Sequence, residues 1–130
     1  AAKIVIDDGY PANGIRYIHK RVLEEVAKRN FKIIADGLRR DDHVSVPSRA
    51  EVRSLEDRFK VHYIQPLIGY SRKTINLLTE KYFSFKEYKS DSFPGAEYEF
   101  ELREVIKRNY GPGKIKAIFP RNHSHSIVTE

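Results

Sequence analysis

Ser48-Arg49-Ala50-Glu51 has the Ser-x-x-Glu form of a capping box, with Pro47 just ahead of it. A hydroxyl at that place takes one orphan amide of the first helical turn, and the glutamate reaches back to the amide of the cap itself. A helix must therefore start here. Val52, Leu55 and Phe59 supply the apolar stripe with which it packs.

Other elements are read around this fixed point. Lys3 to Asp7 reads as a short buried strand, closed by the turn-rich run Asp8-Gly9-Tyr10-Pro11-Ala12-Asn13-Gly14. Ile15, Ile18, Val22 and Val26 then recur at helical spacing, with Asn13 as the expected cap. Phe31 to Ala35 reads as a strand, and Val44 to Val46 as an edge strand in a polar loop. Val61 to Ile64 extends until Pro66, and Ser71 caps a third helix in which Ile75, Leu78 and Tyr82 share a face. Tyr82 to Tyr88 is aromatic and extended, and Tyr98 onward reads as a strand turning into a short helix. Lys114 to Phe119 and His123 to Thr129 read as two strands joined around Pro120-Arg121-Asn122, a C-terminal hairpin.

The expected fold is α+β: about three helices on a mostly antiparallel sheet ending in that hairpin. A winged helix is the alternative. A length of 130 residues with 40% hydrophobic and 12% aromatic content accommodates one core, so the expectation is a single domain over residues 1–130. With zero cysteines there is neither a disulfide framework nor a thiolate metal site. No apolar run reaches the roughly 18 residues of a membrane span. A cytoplasmic location is the expectation, with secretion as part of a larger protein as the alternative.

Twenty-four Lys and Arg stand against 18 Asp and Glu, a net charge of +6 that favours an anionic partner. The excess is concentrated after residue 105, where Lys107, Arg108, Lys114, Lys116 and Arg121 face Glu130 as the one acid. On a strand Lys114 and Lys116 project from one side, which predicts a basic face able to meet phosphates. Arg72 and Lys73 open the third helix, where cations are disfavoured, and so point to an external anion. In the winged-helix alternative Arg72, Lys73 and Asn76 would read duplex DNA. Tyr82, Phe83, Phe85 and Tyr88, interleaved with Lys86 and Lys89, could stack on unpaired bases or fill the core.

His123-Ser124-His125 would put two imidazoles on one strand face, about 7 Å apart. That is half a metal site, lacking further donors at recognisable spacing, and no cofactor or metal is expected. As acid and base, His123 or His125 with His62 or His43 and a neighbouring cation could cleave RNA without metal. Phosphate-cradling loops of the GxxxxGK and GxGxxG types are absent. Glu87-Tyr88-Lys89 and His43-Val44-Ser45 are fragments of nuclease and phosphoesterase motifs. Val105 to Asn109 followed by Ile115-Lys116-Ala117 and a later His-Ser loosely resembles the lobe junction of RNA 2′-phosphotransferases, at a different spacing, so no residue role is taken from it.

The leading expectation is a nucleic-acid-binding domain, RNA ahead of DNA, that contacts phosphates through its C-terminal basic residues. A small metal-independent ribonuclease, such as the toxic domain of a larger protein, is the first rival. A module for an acidic protein partner is the second.

Overall fold

Helices dominate the computed structural model, which describes residues 1–42, 46–89, 98–119 and 124–129. The described elements are α1 (Ala2–Asp8), α2 (Pro11–Ala27), β1 (Ile33–Ala35), α3 (Arg49–Phe59), β2 (His62–Ile64), α4 (Arg72–Tyr82), β3 (Phe85–Lys89), α5 (Tyr98–Tyr110), α6 (Pro112–Ile118) and β4 (Ser124–Val128). They form two compact units: residues 16–75, and residues 1–15 with 76–130.

In the unit of residues 16–75, β1 and β2 pair in parallel, with Ile34 opposite Tyr63. The strands are joined through α3, a β-α-β connection, which is how parallel neighbours are linked. Leu23 and Ala27 of α2, Leu55 of α3, and Ile34, Val61 and Tyr63 form the buried cluster, with Val26, Val52 and Phe59 packed against it. The capping box is made as the sequence requires. The Glu51 amide donates to Ser48 Oγ at 3.3 Å, and the Ser48 amide donates to the Glu51 carboxylate at 2.9 Å.

In the other unit α1 meets α5, α5 meets α6, and β3 pairs antiparallel with β4. Among the described residues, Val5, Leu102, Ile106 and Phe119 are its buried apolar side chains. Gly14, in the first turns of α2, lies so close to α1 that an added Cβ would run into the Val5 side chain and sit 3.3 Å from Leu102. Gly111, at φ 86, turns the chain from α5 into α6, and Arg103 stacks 4.5 Å from the centre of the Phe119 ring.

The expected fold class is thus corrected. The described strands form two separate pairs, one parallel and one antiparallel, and no antiparallel layer carries the helices. Lys3–Asp7 is helical: Ile4, Val5 and Ile6 suggest a strand, but Val5 is driven into the helical contact with α5, a tertiary override of propensity. Tyr98 to Tyr110 is helical throughout. Lys114–Ile118 belongs to α6, with Pro112 at its start, so the C-terminal hairpin does not form and β4 pairs with β3 instead. The winged-helix alternative falls with that hairpin. Helix α2 begins at Pro11 and not after Asn13, whose side chain donates to Asp8 at 2.9 Å. Of the expected edge strand, Val44 and Ser45 lie outside the described residues.

Candidate functional site

In a parallel α/β sheet, ligands bind where the strands end at their carboxyl side, because the loops there are free to vary on a rigid scaffold. Here that edge is the exit of β1 into residues 36–42 and of β2 into Gln65, with the Asp36 amide donating to the Ile64 carbonyl at 3.2 Å. Asp36 is the hub. Its Oδ1 accepts the Leu38 amide at 3.1 Å, its Oδ2 accepts the Tyr63 hydroxyl, and the same oxygen lies 3.3 Å from His19 Nε2. Both the His19 and Asp36 side chains are about nine-tenths buried. Burial, and then the bond to Asp36, push the Tyr63 hydroxyl far above its ordinary range, so it stays a donor. The Gln65 side chain sits beside this hydroxyl, and its amide nitrogen is buried without hydrogen-bond geometry to any partner among the described residues.

The loop beyond Asp36 is pinned along its length. Arg39 holds Asp42 with its guanidinium, and its amide donates to the same carboxylate at 2.7 Å. The guanidinium–carboxylate bond raises the Arg39 pKa. The Arg40 amide donates to the Tyr70 carbonyl at 3.2 Å. Asp41 receives the Arg72 amide at 2.8 and 3.0 Å and so places its carboxylate at the N-terminus of α4. The edge is thus a pre-shaped polar rim whose named donors and acceptors are satisfied within the chain.

A cleft of about 240 Å³ opens on the helical side of the same unit. Leu23, Val52 and Leu55 wall it, and His19 and Tyr63 reach its lining. Its charged rim is internally paired: Arg16 and Lys20 meet Glu51 at 3.3 and 3.5 Å, and Arg58 meets Glu24 at 3.1 Å. Bonds from Ser48, first from its amide and then from its hydroxyl, hold the Glu51 carboxyl at about 2, with Arg16 and Lys20 adding to the effect. Arg58 lowers Glu24 in the same way. These pairs join α2 to α3, so they serve packing as well as lining a cleft.

The residues singled out in the sequence fall as follows. Arg72 and Lys73 begin α4 as expected, but the anion at that helix end is Asp41 of this chain. Lys107 and Arg108 form the last turn of α5, each paired with Glu104, at 3.4 and 3.9 Å. Lys114 and Lys116 are exposed on α6, where a two-residue step turns the side chain by about 200°. The single basic strand face therefore does not exist. His62 is exposed at the start of β2 in the unit of residues 16–75, whereas His125 lies on β4 in the other unit, opposite Tyr88. Arg121, His123 and His43 lie outside the described residues. The ribonuclease reading thus gains no geometric support. Among the described residues no cluster of three or more metal-ligating side chains occurs, and no helix is long and apolar enough to cross a membrane.

Sequence reasoning missed His19 and Asp36. The helical period does carry a signal for the first: Leu23 and Ala27, four and eight residues on, are buried with it, so His19 stands on the core face of α2. Nothing local marks Asp36, because its partners come from α2 and β2.

The chain is 40% identical over 129 residues to an uncharacterized protein of Methanocaldococcus jannaschii, a match covering 98% of this chain and 62% of the relative. A crystal structure from the same organism, described as a predicted subunit of tRNA methyltransferase, matches with a TM-score of 0.81 at 38% identity, over 99% of this chain and 62% of that one. The chain therefore spans somewhat less than two thirds of the length of these relatives. Over residues 1–130 it matches the model of a family of unknown function, DUF7411, and the chain belongs to that family.

Proposed function

We propose that the protein is an RNA-associated component of a tRNA-modifying assembly, binding tRNA through its basic surface and working beside a protein partner. The observation that carries this reading is the likeness, at a TM-score of 0.81 and 38% identity, to a chain described as a predicted subunit of tRNA methyltransferase. The net charge of +6 supports the RNA part, since basic surface captures polyanions by releasing their counterions. Lys107, Arg108, Lys114 and Lys116 are exposed around the α5–α6 corner and are the residues assigned to phosphates. Arg121 joins them in sequence, and Arg72 and Lys73, exposed at the start of α4 although its amide end is already taken by Asp41, are assigned a separate phosphate contact. At the carboxyl edge of the parallel pair, the polar rim around Asp36 is assigned to a small ligand or a nucleotide of the RNA.

Filter binding to unmodified tRNA across a salt series tests it. Affinity should fall steeply between low and moderate salt, with several phosphates neutralised. Affinity that is flat with salt, or no retention of tRNA at low salt, overturns the RNA reading.

A further inference from the structure

Parallel sheets are covered on both faces, because the crossovers that make them parallel lay helices on each side. Among the described residues, the β1–β2 pair is covered on one. Ile34 and Tyr63 point into the cluster made with α2 and α3, and both strands show the same exposed–buried–exposed pattern. The alternate residues therefore form an opposite face that stands open. On it Ile33 is 61% and Ile64 46% exposed, and Phe31, just ahead of β1, is 53% exposed. These are large side chains, two of them β-branched, arranged as the inside of a sheet and not as its outside. Two strands of three residues are also too few to hold a sheet together unaided.

From this face we infer that the functional form contains a further strand-and-helix segment that extends the parallel sheet and covers Ile33 and Ile64. The occupant is the part of the longer relatives that this chain does not span: its matches cover 62% of their length, and the remainder is long enough to supply such a segment. The inference also completes the candidate site. A ligand crevice in an open α/β sheet lies between loops of neighbouring strands at the carboxyl edge. The Asp36–Asp42 loop forms one wall, and the added strand brings the loop that forms another. His62, on the open face with Ile64, becomes part of an interface and not of a free surface.

The test compares this chain alone with the same chain given the remaining portion of the Methanocaldococcus jannaschii relative, once as a separate polypeptide and once fused to it. Amide hydrogen exchange at residues 33–35 and 62–64 should slow roughly tenfold or more in at least one of the two forms. The fluorescence of a dye that reports exposed apolar surface should fall with it. The double variant Ile33→Lys/Ile64→Lys should leave the circular dichroism of the chain alone unchanged, since both side chains are exposed there, and should abolish the protection. Exchange that stays the same with both forms of the added portion overturns the inference. So does protection that survives the double variant. Protection that instead grows with the concentration of the chain alone would make a second copy the occupant, and this too overturns it. None of these readouts depends on tRNA binding, so this inference and the proposed function fail separately.

Discussion

Gly14 is where a single hydrogen in place of a methyl decides whether α1 can close on α2. Alanine is the better helix former by about 1 kcal/mol, which on an open helix face would make Gly14→Ala stabilising. Here the new methyl would meet the side chain of Val5, which is fully buried, with Leu102 a further 3.3 Å contact. Overpacking of that kind costs about 1 to 3 kcal/mol, so the clash outweighs the propensity. Gly14→Ala is expected to lower the urea midpoint, and an unchanged or raised midpoint would refute the packing described around Val5. At the same scale, His19 was within reach of periodicity and Asp36 was not. A residue on the core face of a helix declares itself through its neighbours three and four places away. A carboxylate whose partners stand 17 residues before and 27 residues after it in the chain declares nothing until the chain has folded.

Among the elements, α3 was legible because its start is chemistry between residues three apart. Ser48→Ala should cost about 1 kcal/mol at neutral pH, read from chemical denaturation. The Glu51 carboxyl is held at about 2, below its ordinary 4.5, so its stabilisation is fully present above pH 4.5 and is lost as the pH falls through 2. Glu51→Gln removes that titration. Its stability should therefore vary less than wild type between pH 4.5 and 2, and parallel curves for the two proteins would show that Glu51 is not the group responsible. α6 and the parallel pair were legible in principle. Pro112 at the first helical position is a helix-start signal, and a strand, a helix and a strand in succession over 31–64 is the pattern of a parallel unit. α1 was not, since a run of Ile4, Val5 and Ile6 favours a strand on propensity, and the contacts that go with its helical form come from α5 and Gly14 of α2.

For the whole molecule, charge and shape make different demands. The net charge of +6 belongs to the molecule as a whole, but α6 sends Lys114 and Lys116 in directions about 200° apart. One row of phosphates cannot engage both. Lys114→Glu and Lys116→Glu each take the net charge from +6 to +4, so a purely global electrostatic effect would weaken tRNA binding equally. Local contact predicts that one variant lowers the salt dependence by about one phosphate and the other changes it little. Equal losses in filter binding would assign the affinity to overall charge alone. A comparable division of labour runs through Asp36, whose two oxygens serve an amide of the loop, a hydroxyl of β2 and an imidazole of α2. Three segments thus share one acceptor, so the loop at the sheet's carboxyl edge cannot be re-posed without leaving a phenol or an imidazole to find another. Movement of that loop is therefore tied to the packing of α2 and β2 against it.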